Sequence, residues 1–107
     1  MNYSPREYTI LLVDDDPDII DFLSYALKKE GYSVSTAVDG ADGIEQAKKL
    51  KPDLILLDVM MPNIDGIEAC QIIRNELKAN KPIIAFLTSR SEDYSQKRKN
   101  YSNKSPC

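Results

Sequence analysis

Four short apolar runs, each separated from the next by a helix-length segment, constrain this chain more than any other feature. Tyr8 to Val13, Leu54 to Leu57 and Ile83 to Leu87 are nearly continuous stretches of β-forming residues, as in strands buried on both faces. Ser33 to Val38 alternates only partly and suits a sheet edge. The segments between them are helical. Asp16 followed by Pro17 is an N-cap with proline at the first helical position, and Ile20, Leu23 and Leu27 then recur on one face until Gly31 supplies the stop. A second helix covers about Gly40 to Leu50, with Ala41, Ile44 and Ala47 on one face and Lys51-Pro52 closing it. A third runs from about Gly66 to Ala79 behind an apolar stripe of Ile67, Cys70, Ile73 and Leu77. Strict alternation of strand and helix implies an α/β fold, with a parallel sheet, right-handed crossovers and helices on its faces.

Composition narrows the chemistry. The 107 residues contain no histidine, which excludes imidazole as base, proton shuttle or metal ligand, and two cysteines cannot make a disulfide framework. No secretory h-region and no apolar run near membrane length is present, so the expectation is a soluble, cytoplasmic protein. Carboxylates must carry any polar chemistry. They are unevenly placed: residues 1 to 88 hold fifteen acidic side chains against nine basic, and residues 89 to 107 hold two against five. That last stretch has no Ile, Leu, Val, Met or Phe, and reads as a basic polar tail appended to a core of residues 1 to 88.

In an open parallel sheet, ligands bind beyond the carboxyl ends of the strands, where strand order reverses. Strand one ends in Asp14-Asp15-Asp16, strand three in Asp58 and strand four in Thr88. Asp16 has a structural role as N-cap, and Asp14 and Asp15 have none evident. Taken singly, each acid is as well explained as a solvated loop residue. If strands one and three are neighbours, however, Asp14, Asp15 and Asp58 meet, and an oxygen-only set of three carboxylates suits Mg²⁺ or Mn²⁺. A carboxylate beside such an ion can attack a phosphoryl group, because the metal screens repulsion between the two anions. Thr88 can donate a hydrogen bond to the same group.

The segments Ile10 to Pro17, Leu54 to Gly66 and Lys81 to Ser89, with Asp58-x-x-Met61-Pro62-x-x-Asp65-Gly66 at their centre, resemble the receiver domain of bacterial two-component response regulators. The resemblance covers roughly residues 8 to 96. It implies a flavodoxin-like, doubly wound parallel sheet in the order 2-1-3-4. It implies Asp58 as phosphoacceptor for a histidine kinase or phosphotransfer protein, and Thr88 as switch hydroxyl. Asp15, Asp58 and the backbone carbonyl of Met60 would bind Mg²⁺ directly, with Asp14 acting through water. Such a domain signals to a downstream effector and is not an enzyme beyond its own phosphorylation and dephosphorylation.

A complete receiver continues with a fourth helix, a fifth strand ending in Lys-Pro and a fifth helix. Ser91 to Gln96 suits the opening of that helix, but the residues from Lys97 onward lack the apolar positions to continue. The fourth helix, fifth strand and fifth helix are expected to be lost or replaced by a non-matching tail, through a minimal design or a reading-frame change after about Gln96. The switch lysine has no match: Lys81-Pro82 precedes strand four, and Lys104 lies in a Lys-Ser-Pro context. Strand four then becomes an edge, which predicts a homodimer or exchanged dimer through it. Two other readings stand beside this one. A phosphorylation-incompetent receiver would act only as a binding module. An Mg²⁺-dependent aspartyl phosphohydrolase of the haloacid dehalogenase type would need a second Asp where Met60 stands. Nucleic-acid binding through Lys97-Arg98-Lys99 is weakly supported against an acidic body.

Overall fold

A computed structural model describes residues 8–78 and 82–87. Thr88, Lys81, Ala79 and the tail of residues 89–107, with Lys104 and Cys107, lie outside them. The elements are β1 (Thr9–Val13), α1 (Pro17–Lys29), β2 (Ser33–Ala37), α2 (Gly40–Leu50), β3 (Leu54–Asp58), α3 (Gly66–Glu76) and β4 (Ile83–Leu87). All strand pairings are parallel and the order is β2-β1-β3-β4. This is the flavodoxin-like, doubly wound arrangement. The chain moves outward from β1 to β2 and then crosses back past β1 to β3, so strand order reverses between β1 and β3. Any ligand site is thereby directed to the carboxyl ends of those two strands.

Successive residues of β1 face opposite sides of the sheet. Leu11 and Val13 point to the side of α2 and α3, where Ile55, Leu57, Ala69, Cys70, Ile73 and Leu77 close the main core. Ile10 and Leu12 face the other side and are also buried, as a central strand requires. Each large side chain so buried contributes roughly 1.5–3 kcal/mol. The stripe of α3 is buried as expected, although that helix ends at Glu76 with Leu77 as its cap, short of Ala79.

The buried face of α2 differs from expectation. Ala41 is exposed, and Gly40, Gly43 and Ala47 are the residues turned inward. A stripe of small residues brings this helix close to the sheet: a Cβ on Gly43 would lie 2.9 Å from Val13 Cγ1. Gly43→Ala is therefore expected to lower stability by about 1–2 kcal/mol through overpacking against β1, which a urea titration would read as a lower midpoint at unchanged slope. The helix stops as foreseen, with Lys51 in the left-handed region at φ 49° ahead of Pro52.

Helix α1 also starts as expected: Asp16 Oδ1 accepts the Asp18 N–H at 2.9 Å, Pro17 opens the helix and Gly31 follows its end at φ 101°. Ile20, Leu23 and Leu27 face the sheet, yet no residue of α1 is fully buried. Among the described residues β4 is the outer strand. It is better covered than an open edge, since Ile84 and Phe86 pack on the main core and only Ile83 is strongly exposed.

Candidate functional site

The register of β1 on β3 pairs Val13 with Leu57, so the next residues, Asp14 and Asp58, emerge side by side where strand order reverses. Asp15 follows on the exposed side. The three carboxylates converge: one oxygen from each of Asp14, Asp15 and Asp58 lies within 4.8 Å of the others. Asp14 and Asp58 are buried, at 5% and 7% exposure, whereas Asp15 is open to water. The structure thus assembles the three acids that the sequence singled out.

Local hydrogen bonds hold the two buried carboxylates. Asp14 Oδ1 accepts the Asp16 N–H at 2.9 Å, and Asp58 Oδ1 accepts the Met60 N–H at 3.1 Å. Asp14 therefore has a structural role that the sequence reading did not assign to it: it folds the turn that presents Asp16 as helix cap. An Asx turn needs only an acid two residues before the amide it accepts, so the signal was present in the spacing of Asp14 and Asp16.

The loop after β3 is equally constrained. The Val59 carbonyl accepts from both Met61 N–H and Gly66 N–H, and Val59 N–H reaches the Leu87 carbonyl on β4. Asn63 takes a positive φ of 67°, and Asp65 caps α3 by accepting the Glu68 N–H at 2.9 Å. Leu87, which precedes Thr88, lies opposite Asp58 in the register of β3 on β4. Gly66 belongs to the motif that carries the receiver resemblance, but nothing in the sequence alone accounts for glycine there. Its Cα sits where a side chain would strike the Asp58 carbonyl, so only glycine lets α3 start directly behind Asp58.

Burial raises the pKa of both inner acids. Asp58 is pushed up to about 6, chiefly by loss of water and further by the charges of Asp14 and Asp15, against the opposing hydrogen bond from Met60. Asp14 is raised mainly by burial, with the Asp15 charge adding and the Asp16 N–H opposing. Three acids in this space repel one another without a cation between them. Their oxygen-only donor set fits a hard divalent ion such as Mg²⁺, and no histidine or thiolate stands among them. A cleft of about 740 Å³ lies at the opposite end of the sheet against Tyr8, Leu27, Tyr32, Leu54 and Ile83. It holds no such cluster, and its one acid, Asp53, is engaged with the Thr9 N–H.

A parallel sheet of this order with an acid pair at its switch point defines a receiver-like α/β domain. The sequence matches the response regulator receiver domain over residues 10–102, and the chain belongs to that family. It is 46% identical over 85 residues to the alkaline phosphatase synthesis transcriptional regulatory protein PhoP of Bacillus subtilis, an alignment covering 79% of this chain and 35% of that protein. The chain thus spans about a third of the length of that relative. Among solved structures it resembles the chemotaxis protein CheY4 of Vibrio cholerae, with a TM-score of 0.67 and 32% identity over 84% of this chain and 78% of that one. It also resembles the receiver domain of the sensor histidine kinase PA1611 from Pseudomonas aeruginosa PAO1, with a TM-score of 0.75 and 29% identity over 84% and 74% of the two chains. That structure carries a magnesium ion coordinated in its active-site cleft. Among the described residues of the present chain, no helix is long and apolar enough to cross a membrane.

Proposed function

We propose that this receiver domain is a phosphoacceptor, in which Asp58 takes a phosphoryl group from the phosphohistidine of a sensor histidine kinase or phosphotransfer protein. The observation that carries the reading is the convergence of Asp14, Asp15 and Asp58 to within 4.8 Å at the carboxyl ends of neighbouring parallel strands, two of them buried. Asp15, Asp58 and the Met60 carbonyl would hold Mg²⁺, with Asp14 acting through water and Mn²⁺ an acceptable substitute. Bound there, the ion screens the repulsion between carboxylate and phosphoryl oxygens and stabilises the charge that spreads over them in transfer.

The chain's own part is to aim the nucleophile. The Met60 N–H fixes Asp58 Oδ1, which leaves the second oxygen to attack. A P–O bond forms as the P–N bond to the donor imidazole breaks. The electron pair of that bond stays on the ring nitrogen, and a proton taken from solvent by the ring's other nitrogen lets it leave neutral. Thr88, next after Leu87, is assigned as the hydroxyl that meets the new phosphoryl group. The added charge then redirects a partner surface toward an effector. The chain turns over only its own phosphoryl group and works in the cytoplasm.

Transfer from a phosphohistidine-labelled phosphotransfer protein tests this reading. With Mg²⁺ the label is expected to leave the donor and appear on this chain, and a chelator should stop the transfer. Label that stays on the donor in Mg²⁺ would leave the binding-module reading standing. Repeated hydrolysis of a free phosphate ester would point instead to a phosphohydrolase.

A further inference from the structure

Cys70 lies on α3, is fully buried in the main core and takes no part in the acidic site. It is disulfide-bonded, and no cysteine among the described residues is free. The whole chain holds one other cysteine, Cys107, which lies outside the described residues. Within one chain that is the only sulfur Cys70 can meet. Cys107 follows Leu87, the last residue of β4, by twenty residues. Fully extended, such a segment spans at most about 70 Å, roughly twice the diameter of a small domain, so the distance to α3 is no obstacle.

We propose that Cys70 and Cys107 form a reversible disulfide that ties the segment after β4 to α3. The loop it closes contains the later turns of α3 and all of β4, the outer strand among the described residues. Joining the ends of so long a loop removes much of the freedom of the unfolded chain, so the bridged form is the more stable. The effect is felt at β4, because opening that strand then releases a closed loop instead of a free end. The bond forms by exchange with a small-molecule disulfide such as that of glutathione. The Cys107 thiolate attacks one sulfur of the donor and expels the other as a thiolate. The Cys70 thiolate then attacks the Cys107 sulfur and expels the second. Two protein thiols and one donor disulfide become one internal disulfide and two donor thiols, with two electrons and both thiol protons passing to the donor. Burial suits Cys70 to the second step, since an enclosed thiol is out of the donor's reach and meets only a sulfur brought to it. A strongly reducing thiol pool opens the bridge and an oxidised one closes it.

Intact mass and a peptide map of the full chain, equilibrated with glutathione disulfide and quenched in acid, test the bridge. The oxidised chain should weigh about 2 Da less than the reduced one, at low and high protein concentration alike. Trypsin without reductant should leave Ser105-Pro106-Cys107 attached to the peptide that ends at Arg74, and reductant should release it. Reduction should lower the urea midpoint of the wild type and speed amide exchange in β4 by about tenfold. Cys107→Ser should show neither response while keeping the midpoint of the reduced wild type, since it leaves the Cys70 thiol in the core. Two copies linked through Cys70, glutathione retained on either cysteine, or two thiols that survive the oxidant in a folded chain would each overturn the inference. A wild-type midpoint that reduction leaves unchanged would overturn the stabilising role of the bridge.

Discussion

Replacing Asp58 by Asn is expected to abolish phosphoryl uptake while raising the stability of the metal-free fold at neutral pH. The first follows from loss of the nucleophilic carboxylate and the second from burial of its charge. The Asp58 carboxyl has its pKa pushed up to about 6 in the fold, against about 3.9 in an unfolded chain. Below pH 4 the group is protonated in both states and has no influence on stability. As pH rises from about 4 to about 6 the unfolded chain releases its proton first, so the metal-free native state loses stability across that interval. The loss is complete only well above pH 6. Asn cannot ionise, yet its side-chain oxygen still accepts the Met60 N–H. The variant should therefore unfold at a higher temperature than the wild type at pH 7, and the two should converge near pH 4. Mg²⁺ should stabilise the wild type and narrow the difference, because a cation offsets the repulsion among Asp14, Asp15 and Asp58. Thermal melts at several pH values, with and without Mg²⁺, check each part. A wild type that gains stability between pH 4 and pH 6 without metal would contradict the sign.

Gly66→Ala should have the largest structural effect of any single methyl added to this chain's glycines near the site. The new Cβ would strike the Asp58 carbonyl oxygen and sit 2.8 Å from Val59 Cα, both backbone atoms. Backbone cannot step aside as a side chain does, so either the start of α3 or the end of β3 must move. The Gly66 N–H bond to the Val59 carbonyl, at 3.0 Å, would be lost with it. A loss of about 3 kcal/mol or more is expected, well beyond that for Gly43→Ala, where the contact is with the Val13 side chain. Because Met60 lies within the displaced loop, the fraction of chain that takes up phosphoryl should fall too. Urea midpoints and labelled fractions measured on the same samples read both. A variant as stable as the wild type would show that the loop relaxes in a way the close approach of α3 forbids.

Much of this was legible in the residues. Short β-forming runs separated by capped helical segments specify alternating strands and helices because periodicity and capping are local physics. The Asp16-Pro17 start of α1, the Gly31 and Lys51-Pro52 stops and the stripe of α3 all appear where local rules place them. Periodicity alone did not order the strands. That β1 and β3 are neighbours came from the receiver resemblance, and on it depended whether Asp14, Asp15 and Asp58 were three loop acids or one site. Three features found no explanation in the sequence, for physical reasons. Gly43 is not apolar, so a pattern of hydrophobic positions put Ala41 on the buried face of α2 in its place. Gly66 is explained by what a side chain would strike, which depends on the path of a strand eight residues earlier. The incomplete cover of α1 depends on tertiary packing, which its own amphipathic pattern does not contain.

The most direct measurement is to incubate the chain with a small-molecule phosphodonor and Mg²⁺, weigh it intact, and map the modified peptide. One phosphoryl group per chain is expected, on the peptide containing Asp58, released by hydroxylamine as an acyl phosphate is, and absent from Asp58→Asn. Undiminished labelling of that variant, or no labelling of a folded wild type that binds Mg²⁺, would contradict the assignment of Asp58 as the phosphoacceptor.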